Sequence, residues 1–211
     1  MRPSRWSLFF LLIFLPISVS GHLSGCGYTL RSTSMKSPVL ENAGIQKVFI
    51  QPVTNNSYKT GAEIVVFNAL QKKISAQGEL RIVSSEDEAD AVLKSTVNNA
   101  EYSSISSTAG SSLQPTSISG AFKNYVVASV YSAALKCSFS LVATPNSRIK
   151  QTGRHVWGAT FDRSKSFQAN NEVGVLGTTS AIINDSEFDR TLSDLADGMM
   201  IDVYESLLSM F

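Results

Sequence analysis

Few side chains in this chain combine the type and the spacing that chemistry needs. There are two cysteines, Cys26 and Cys137, and two histidines, His22 and His155. No Cys/His cluster has the ligand spacing of a zinc site, so no metal is expected, and no cofactor either. Serines are numerous, yet none stands in a Gly-x-Ser-x-Gly elbow. Neither a Gly-Lys-Ser/Thr phosphate loop nor a dinucleotide fingerprint occurs. His155 lies in a strand-like run beside Trp157 and reads as a structural residue rather than a general base. Acidic residues are scattered without a convincing catalytic pair. The expectation is a non-enzyme. A hydrolase whose groups converge from distant positions is the weaker alternative.

The remaining chemistry is that of Cys26, and its setting defines it. Arg2 and Arg5 make a positive start, Trp6 to Val19 is apolar around Pro16, and small or polar residues lead to the cysteine. That is the architecture of a secretory signal. The apolar run is shorter than the ~20 residues that cross a bilayer, which argues against a transmembrane anchor. Leu23-Ser24-Gly25-Cys26 resembles the lipobox of bacterial lipoproteins. The resemblance implies a diacylglyceryl group on the Cys26 thiol, cleavage before it, and acylation of the new amino group. Stable anchoring takes more than one acyl chain. The residue after the cysteine is Gly27 rather than Asp, which by the bacterial sorting rule implies the outer membrane. The expected divisions are a signal peptide over 1–25, a lipid-anchored tether over 26–43 and one domain over 44–211.

Removing the 25-residue leader from 211 residues leaves 186, enough for one core. Of 18 Lys and Arg, two leave with the leader, so 16 face 17 Asp and Glu for a net charge of −1. Such a balance creates no global field for nucleic acid. With Cys26 acylated, Cys137 has no partner in the chain, so no disulfide framework is expected even in an exported protein.

The elements that must carry any site follow from periodicity. Lys47–Val53 reads as a short strand ended by Pro52 and Asn55-Asn56. Thr60-Gly-Ala-Glu63 reads as a capping box opening a helix with Ile64, Phe67, Leu70 and Ile74 on one face and Gly78 as its stop. The run Ile64–Phe67 also suits a strand. Leu80–Val83 and Ala91–Tyr102 read as strands separated by an acidic, solvated turn at Glu86–Asp90. In the second of these, Leu93 and Val97 share one face, and Lys94, Thr96 and Asn98 the other. Ser103–Gly120 is rich in Ser, Thr and Gly without periodicity and reads as a long mobile loop, functional or merely tolerated.

Tyr131–Ala143 alternates most clearly, with odd positions apolar and even ones polar or small. Cys137 falls on the apolar set, a buried small hydrophobe. Thr144-Pro-Asn-Ser147 turns the chain, and Arg154–Lys165 returns as the second arm of a hairpin with Trp157, Ala159 and Phe161 on one face. From Ser186, residues Phe188, Leu192, Leu195, Met199, Val203, Leu207 and Met210 make a helical apolar stripe, with Asp189, Asp194, Asp197, Asp202 and Glu205 mostly on other faces. The order β-α-β-β-β-β-α predicts an α+β fold: a mostly antiparallel sheet of four to five strands with two helices on one face.

Cys26-Gly27-Tyr28-Thr29-Leu30-Arg31 resembles the mature start of the lipopolysaccharide-assembly lipoprotein family (LptE). The order of elements is similar to that family's, and Val48–Ser57 resembles its first strand and turn. The resemblance implies an outer-membrane lipoprotein that plugs a large β-barrel translocon, helps it assemble, and binds lipopolysaccharide on its way to the surface. The implied partners are the barrel, the glycolipid and, through the N-terminal lipid, the membrane. Polar strand faces suit the wet lumen of a barrel. For the glycolipid phosphates the candidates are Lys123, Arg163 and Lys165, with Arg148, Lys150 and Arg154 as a second cluster. The alternative is another periplasm-facing lipoprotein, a binding module or envelope scaffold sharing only the lipobox and the α+β plan. Cys26→Ala is expected to leave the fold intact and release the protein from membranes. Fractionation checks this, and a variant still held in the membrane would count against the lipid as sole anchor.

Overall fold

Local sequence sets most of the elements, and their pairing then sorts residues to one side of a sheet or the other. The computed structural model describes residues 44–109, 126–147, 155–169 and 178–209. Cys26, Lys123 and the cluster Arg148, Lys150 and Arg154 lie outside the described residues. In chain order the elements are β1 (Lys47–Ile50), β2 (Thr54–Asn55), α1 (Ala62–Gln77), β3 (Arg81–Val83), β4 (Ala91–Ala109), β5 (Val126–Ala143), β6 (His155–Gln168) and α2 (Thr178–Ser209). They form an α+β fold. The six-stranded sheet runs β3-β1-β4-β5-β6, and β2 joins it on β4.

The sheet is mixed. The long pairings β4/β5 and β5/β6 are antiparallel, as a meander of hairpins requires. The short ones, β1/β3, β1/β4 and β2/β4, are parallel. Helix α1 causes part of this, because it carries the chain back so that β3 starts at the same end as β1. Asp90 sits where this part of the sheet begins. Its Oδ2 accepts from the backbone N–H of Gln46 and Lys47 at 2.9 and 2.8 Å, and its own N–H donates to the Lys47 carbonyl at 2.9 Å. The neighbouring Glu86, Asp87 and Glu88 are exposed, so the acidic turn divides into solvated residues and one structural residue.

The expected capping box does not form. Gly61 takes the N-cap place at φ 89°, with no side-chain cap, and the amides of Ile64 and Val65 donate to its carbonyl. Glu63 is drawn elsewhere, because Asn55 Nδ2 donates to its carboxylate at 2.6 Å. The buried face of α1 is Ala62, Val66, Ala69, Leu70 and Ile74, while Ile64 is 60% exposed and Phe67 half-buried. Steps of three, as from Ile64 to Phe67 to Leu70, turn back by roughly 60° each on a 3.6-residue helix. Ile64 therefore falls off the face that holds Ile74. Gly78 does stop the helix, in the left-handed region at φ 70° with its N–H on the Ile74 carbonyl.

β4 runs well past Tyr102, so Ser103–Ala109 is strand rather than loop, paired with Val126–Ser132 of β5. From Ser103 to Ser107 every side chain is exposed, and a strand with no buried face shows no period in its sequence. Nearer the body, β4 changes parity. Val97 opposes Cys137 but Asn99 opposes Lys136, which leaves Asn98 as an extra residue. Core positions are therefore odd up to Val97 and even from Ala100 onward. On β5 the odd positions from Ala133 to Ala143 are buried, as the alternation requires. Burial pushes the Cys137 thiol up to about 12, so it stays protonated as a small core residue.

Helix α2 is longer than expected, 32 residues from Thr178, and its stripe from Phe188 to Leu207 is buried against the sheet. Met210 lies outside the described residues. Thr191, Ala196, Met200 and Tyr204 widen the stripe. Tyr102, Tyr131, Phe167 and Phe188 close one end of the core, with ring centroids 4.8 Å apart for Tyr102–Phe188 and 5.1 Å for the edge-on Tyr102–Tyr131 pair. No described helix is long and apolar enough to cross a membrane. Among the described residues one buried polar atom, Ser95 Oγ on the core side of β4, has no hydrogen-bond partner. A buried orphan hydroxyl costs about 1–3 kcal/mol. Ser95→Ala is therefore expected to raise stability by about 1 kcal/mol in chemical denaturation.

Candidate functional site

Arg163 and Lys165 are two residues apart on β6, so both point to the same side of the sheet, the side covered by α2. There they meet carboxylates. Arg163 donates through Nε and Nη2 to Asp202 Oδ2 at 2.9 and 2.6 Å, and Lys165 Nζ lies 2.6 Å from Asp194 Oδ2. Gly198, one helical turn from each aspartate, opens the space between them. A Cβ there would come within 2.7 Å of Arg163 Nη1. The hydrogen bond from Lys165, and then its charge, hold the Asp194 carboxyl below its ordinary range. A carboxylate lowered in the fold adds stability above its unfolded range and loses it as the pH falls.

The same helix supplies three more carboxylate contacts. Lys72 pairs with Asp197 at 2.7 Å, and Lys59 reaches Asp185 and Asp189 at 3.0 and 2.7 Å beneath the ring of Phe188. Burial alone would lower the Lys59 pKa, but the hydrogen bonds to Asp189 and Asp185 outweigh it and raise it. The aspartates off the apolar stripe of α2 thus serve as a row of counter-charges along its flanks. Of the three phosphate candidates, the described structure places Arg163 and Lys165 side by side, each half-exposed and each already holding a carboxylate.

The opposite face of the sheet is not covered by either helix. Register brings Thr54, Thr96, Ser138 and Thr160 into one row across β2, β4, β5 and β6. Asn98, the bulged residue, donates to Ser138 Oγ at 2.6 Å, and Ser138 Oγ lies 3.0 Å from Thr160 Oγ1. Parallel rows carry Lys94, Ser140 and Gly158, and Ser103, Ser132 and Ser166. From Ser132 to Ser140 the outward residues of β5 are Ser, Ala or Lys. The result is a row of short hydroxyl side chains, flanked by the charged side chains of Lys94, Lys136 and Asp162. Each half of the signal, polar or small residues at even positions, is present in one strand. What joins them is the register between strands.

At one end of this face a cleft of about 490 Å³ opens between the Glu86-Asp87 turn and the strands, lined also by Lys94, Asn146, Val92 and Val142. His155 stands on the same face at the start of β6, opposite Val142. It is exposed, its ring lies over Gly158, and it has no hydrogen-bond partner among the described residues. Among these residues no group of three His, Cys, Asp or Glu side chains converges as a metal site would. Chemically, the face offers hydrogen-bond donors and acceptors at short reach.

Neither a family model nor a curated protein matches the sequence. Solved structures do resemble the fold loosely, and several are bacterial lipoproteins. The rare lipoprotein B of Shewanella oneidensis is 12% identical, with 74% of this chain and 93% of that one covered at a TM-score of 0.43. The lipoprotein GNA1162 of Neisseria meningitidis is 16% identical, covering 67% and 98% at 0.37. The hypothetical protein CT253 of Chlamydia trachomatis is 9% identical, covering 79% and 99% at 0.45. At these values the likeness assigns neither family nor function.

The half-exposed Arg163–Asp202 pair is expected to be worth about 1 kcal/mol or less, as solvent-screened pairs are. A double-mutant cycle of Arg163→Ala and Asp202→Ala measures the coupling, which should shrink as salt is added. A coupling of several kcal/mol, insensitive to salt, would show that the contact is a structural lock.

Proposed function

We propose that this protein is a lipid-anchored, non-enzymatic lipoprotein of the outer membrane, facing the periplasm, whose hydroxyl-rich sheet face docks inside a β-barrel lipopolysaccharide translocon and assists its assembly. One observation carries this: the row Thr54, Thr96, Ser138 and Thr160, short hydroxyl side chains on a face uncovered by the helices. The inner wall of a membrane barrel is polar and wet, so a docking partner for it needs polar groups and close approach rather than a greasy patch. The lipobox at Leu23–Cys26 supports the anchor, and the short stretch after it supports the choice of complex.

Lipopolysaccharide is the proposed second ligand, with Lys123, Arg163 and Lys165 meeting its phosphates. The pairs of Arg163 with Asp202 and Lys165 with Asp194 are half-exposed. Contacts of that kind are weak enough for a phosphate to exchange with the carboxylate. The second reading, a periplasm-facing binding module, rests on the cleft beside Glu86, Asp87 and Lys94.

Co-purification in mild detergent separates the two readings. The tagged chain is expected to bring down one large β-barrel. Ser138→Trp, which puts a bulky group in the middle of the hydroxyl row, is expected to lose it with the thermal unfolding midpoint unchanged. Absence of any barrel with the unmodified chain would sink the translocon reading.

A further inference from the structure

The cleft of about 490 Å³ at one end of the open sheet face is walled by two turns that brace each other. One wall is the turn Glu86–Glu88, and the other is the turn from Thr144 to Ser147 that follows β5. Asn146 Nδ2 donates to the Asp87 carbonyl, and Thr144 Oγ1 donates to the Ala89 carbonyl. The Thr144 N–H donates to the Asp90 carbonyl at 3.0 Å, and the Ser147 N–H closes its own turn on the Thr144 carbonyl at 3.1 Å. The walls are thus held in place before anything binds, which lowers the entropy cost of binding. The floor between them is apolar. Val92 is 3% exposed although neither helix covers its side of the sheet, and Val142 stands opposite it in register. A cleft of this volume falls within the roughly 300–1,000 Å³ of small-ligand sites.

The charges around this floor are divided. Glu86 and Asp87 line the cleft at the turn, and Lys94 lines it from β4. Lys94 is three residues along the strand from Ala91, roughly 10 Å at the rise of a β-strand, so the two signs stand well apart. Among the described residues none of these three side chains makes an ion pair or a hydrogen bond. On the helix side, by contrast, Lys59, Lys72, Arg163 and Lys165 each hold an aspartate. We infer that the cleft binds a short apolar peptide by its two ends. Its ammonium group meets Glu86 and Asp87, its carboxylate meets Lys94, and its middle lies on Val92 and Val142. Three features select this class. A ligand with charge of one sign is repelled at one end of the cleft, by Lys94 or by the two carboxylates. A single amino acid holds its charges too close together to reach both ends. A wholly polar ligand leaves the apolar floor uncovered, and burying that floor is what favours an apolar middle. The inference deepens the reading of this cleft as a binding module and does not depend on a barrel.

The test is an NMR titration of the isotope-labelled full chain in mild detergent with the tripeptide Ala-Val-Ala, its N-acetyl form and its C-terminal amide. The free tripeptide is expected to shift the backbone amide signals of Asp87, Lys94, Val142 and Asn146. Each capped form is expected to bind about fivefold more weakly, the scale of one exposed charge contact. Lys94→Gln should make the free acid and the amide bind alike. Glu86→Gln combined with Asp87→Asn should do the same for the free and acetylated amine, with the thermal unfolding midpoint unchanged in both variants. Equal binding of the three peptides to the unmodified chain, or discrimination that survives these substitutions, would overturn the inference. Inorganic phosphate and ethylammonium are the single-charge probes. If either shifts these signals and the tripeptide does not, the peptide is removed and the cleft remains a binding site. No shift with any probe removes both the peptide and the binding-module reading.

Discussion

The packing of α2 across β4, β5 and β6 is the interaction on which the rest of the molecule depends. Phe188, Leu192, Leu195, Met199, Val203 and Leu207 meet the core side of three long strands, where Leu93, Leu135, Leu141 and Trp157 are buried. Burying a side chain of this size contributes roughly 1.5–3 kcal/mol, so a seam of six such residues stabilises the fold strongly. It also imposes a constraint. A straight apolar stripe needs an apolar strand face along its whole length, and β4 meets this only because the bulge at Asn98 shifts its parity between Val97 and Ala100. Past the aromatic group of Tyr102, Tyr131, Phe167 and Phe188 the need ends, and β4 continues as an exposed ribbon.

Sealing one side of the sheet leaves the other to solvent. The division between the two sides explains where each polar residue goes. Charges that fall on the α2 side, Arg163 and Lys165, sit at the margin of the seam and meet Asp202 and Asp194. The middle row of the open side is short and hydroxylated, and its residues bond to one another across strands, as Asn98, Ser138 and Thr160 do, with Lys94, Lys136 and Asp162 in the rows beside it. The bulge serves both sides, since the residue it expels, Asn98, is the donor that enters the hydroxyl row.

Much of the architecture was legible along the chain. The alternation in Tyr131–Ala143 and the stripe from Phe188 to Leu207 both report burial on one side of a regular element, and both appear in the fold. Gly78 was legible for the same local reason, a left-handed helix stop. The start of α1 was not. A capping box is a local possibility, and Glu63 had a better partner in Asn55, eight residues away. The parity switch at Asn98 and the strand from Ser103 to Ser107 were hidden because neither follows from periodicity: a bulge breaks it, and an exposed ribbon has none. Of the site, the even-numbered polar residues of β5 were visible singly, while the row they form with Thr54, Thr96 and Thr160 was not.

The sequence by itself determined the cysteine motif at Leu23–Cys26, the order of helices and strands, and which residues of β5 and α2 turn inward. Each of these is a matter of residue type at short spacing, where sterics and periodicity act within one element. Only the tertiary structure decided that Arg163 and Lys165 meet carboxylates and that four hydroxyls align across four strands. Those facts depend on register and on which surfaces pack together. A shift of one residue between strands exchanges the two faces of a sheet, and nothing within a single strand records its partner's position.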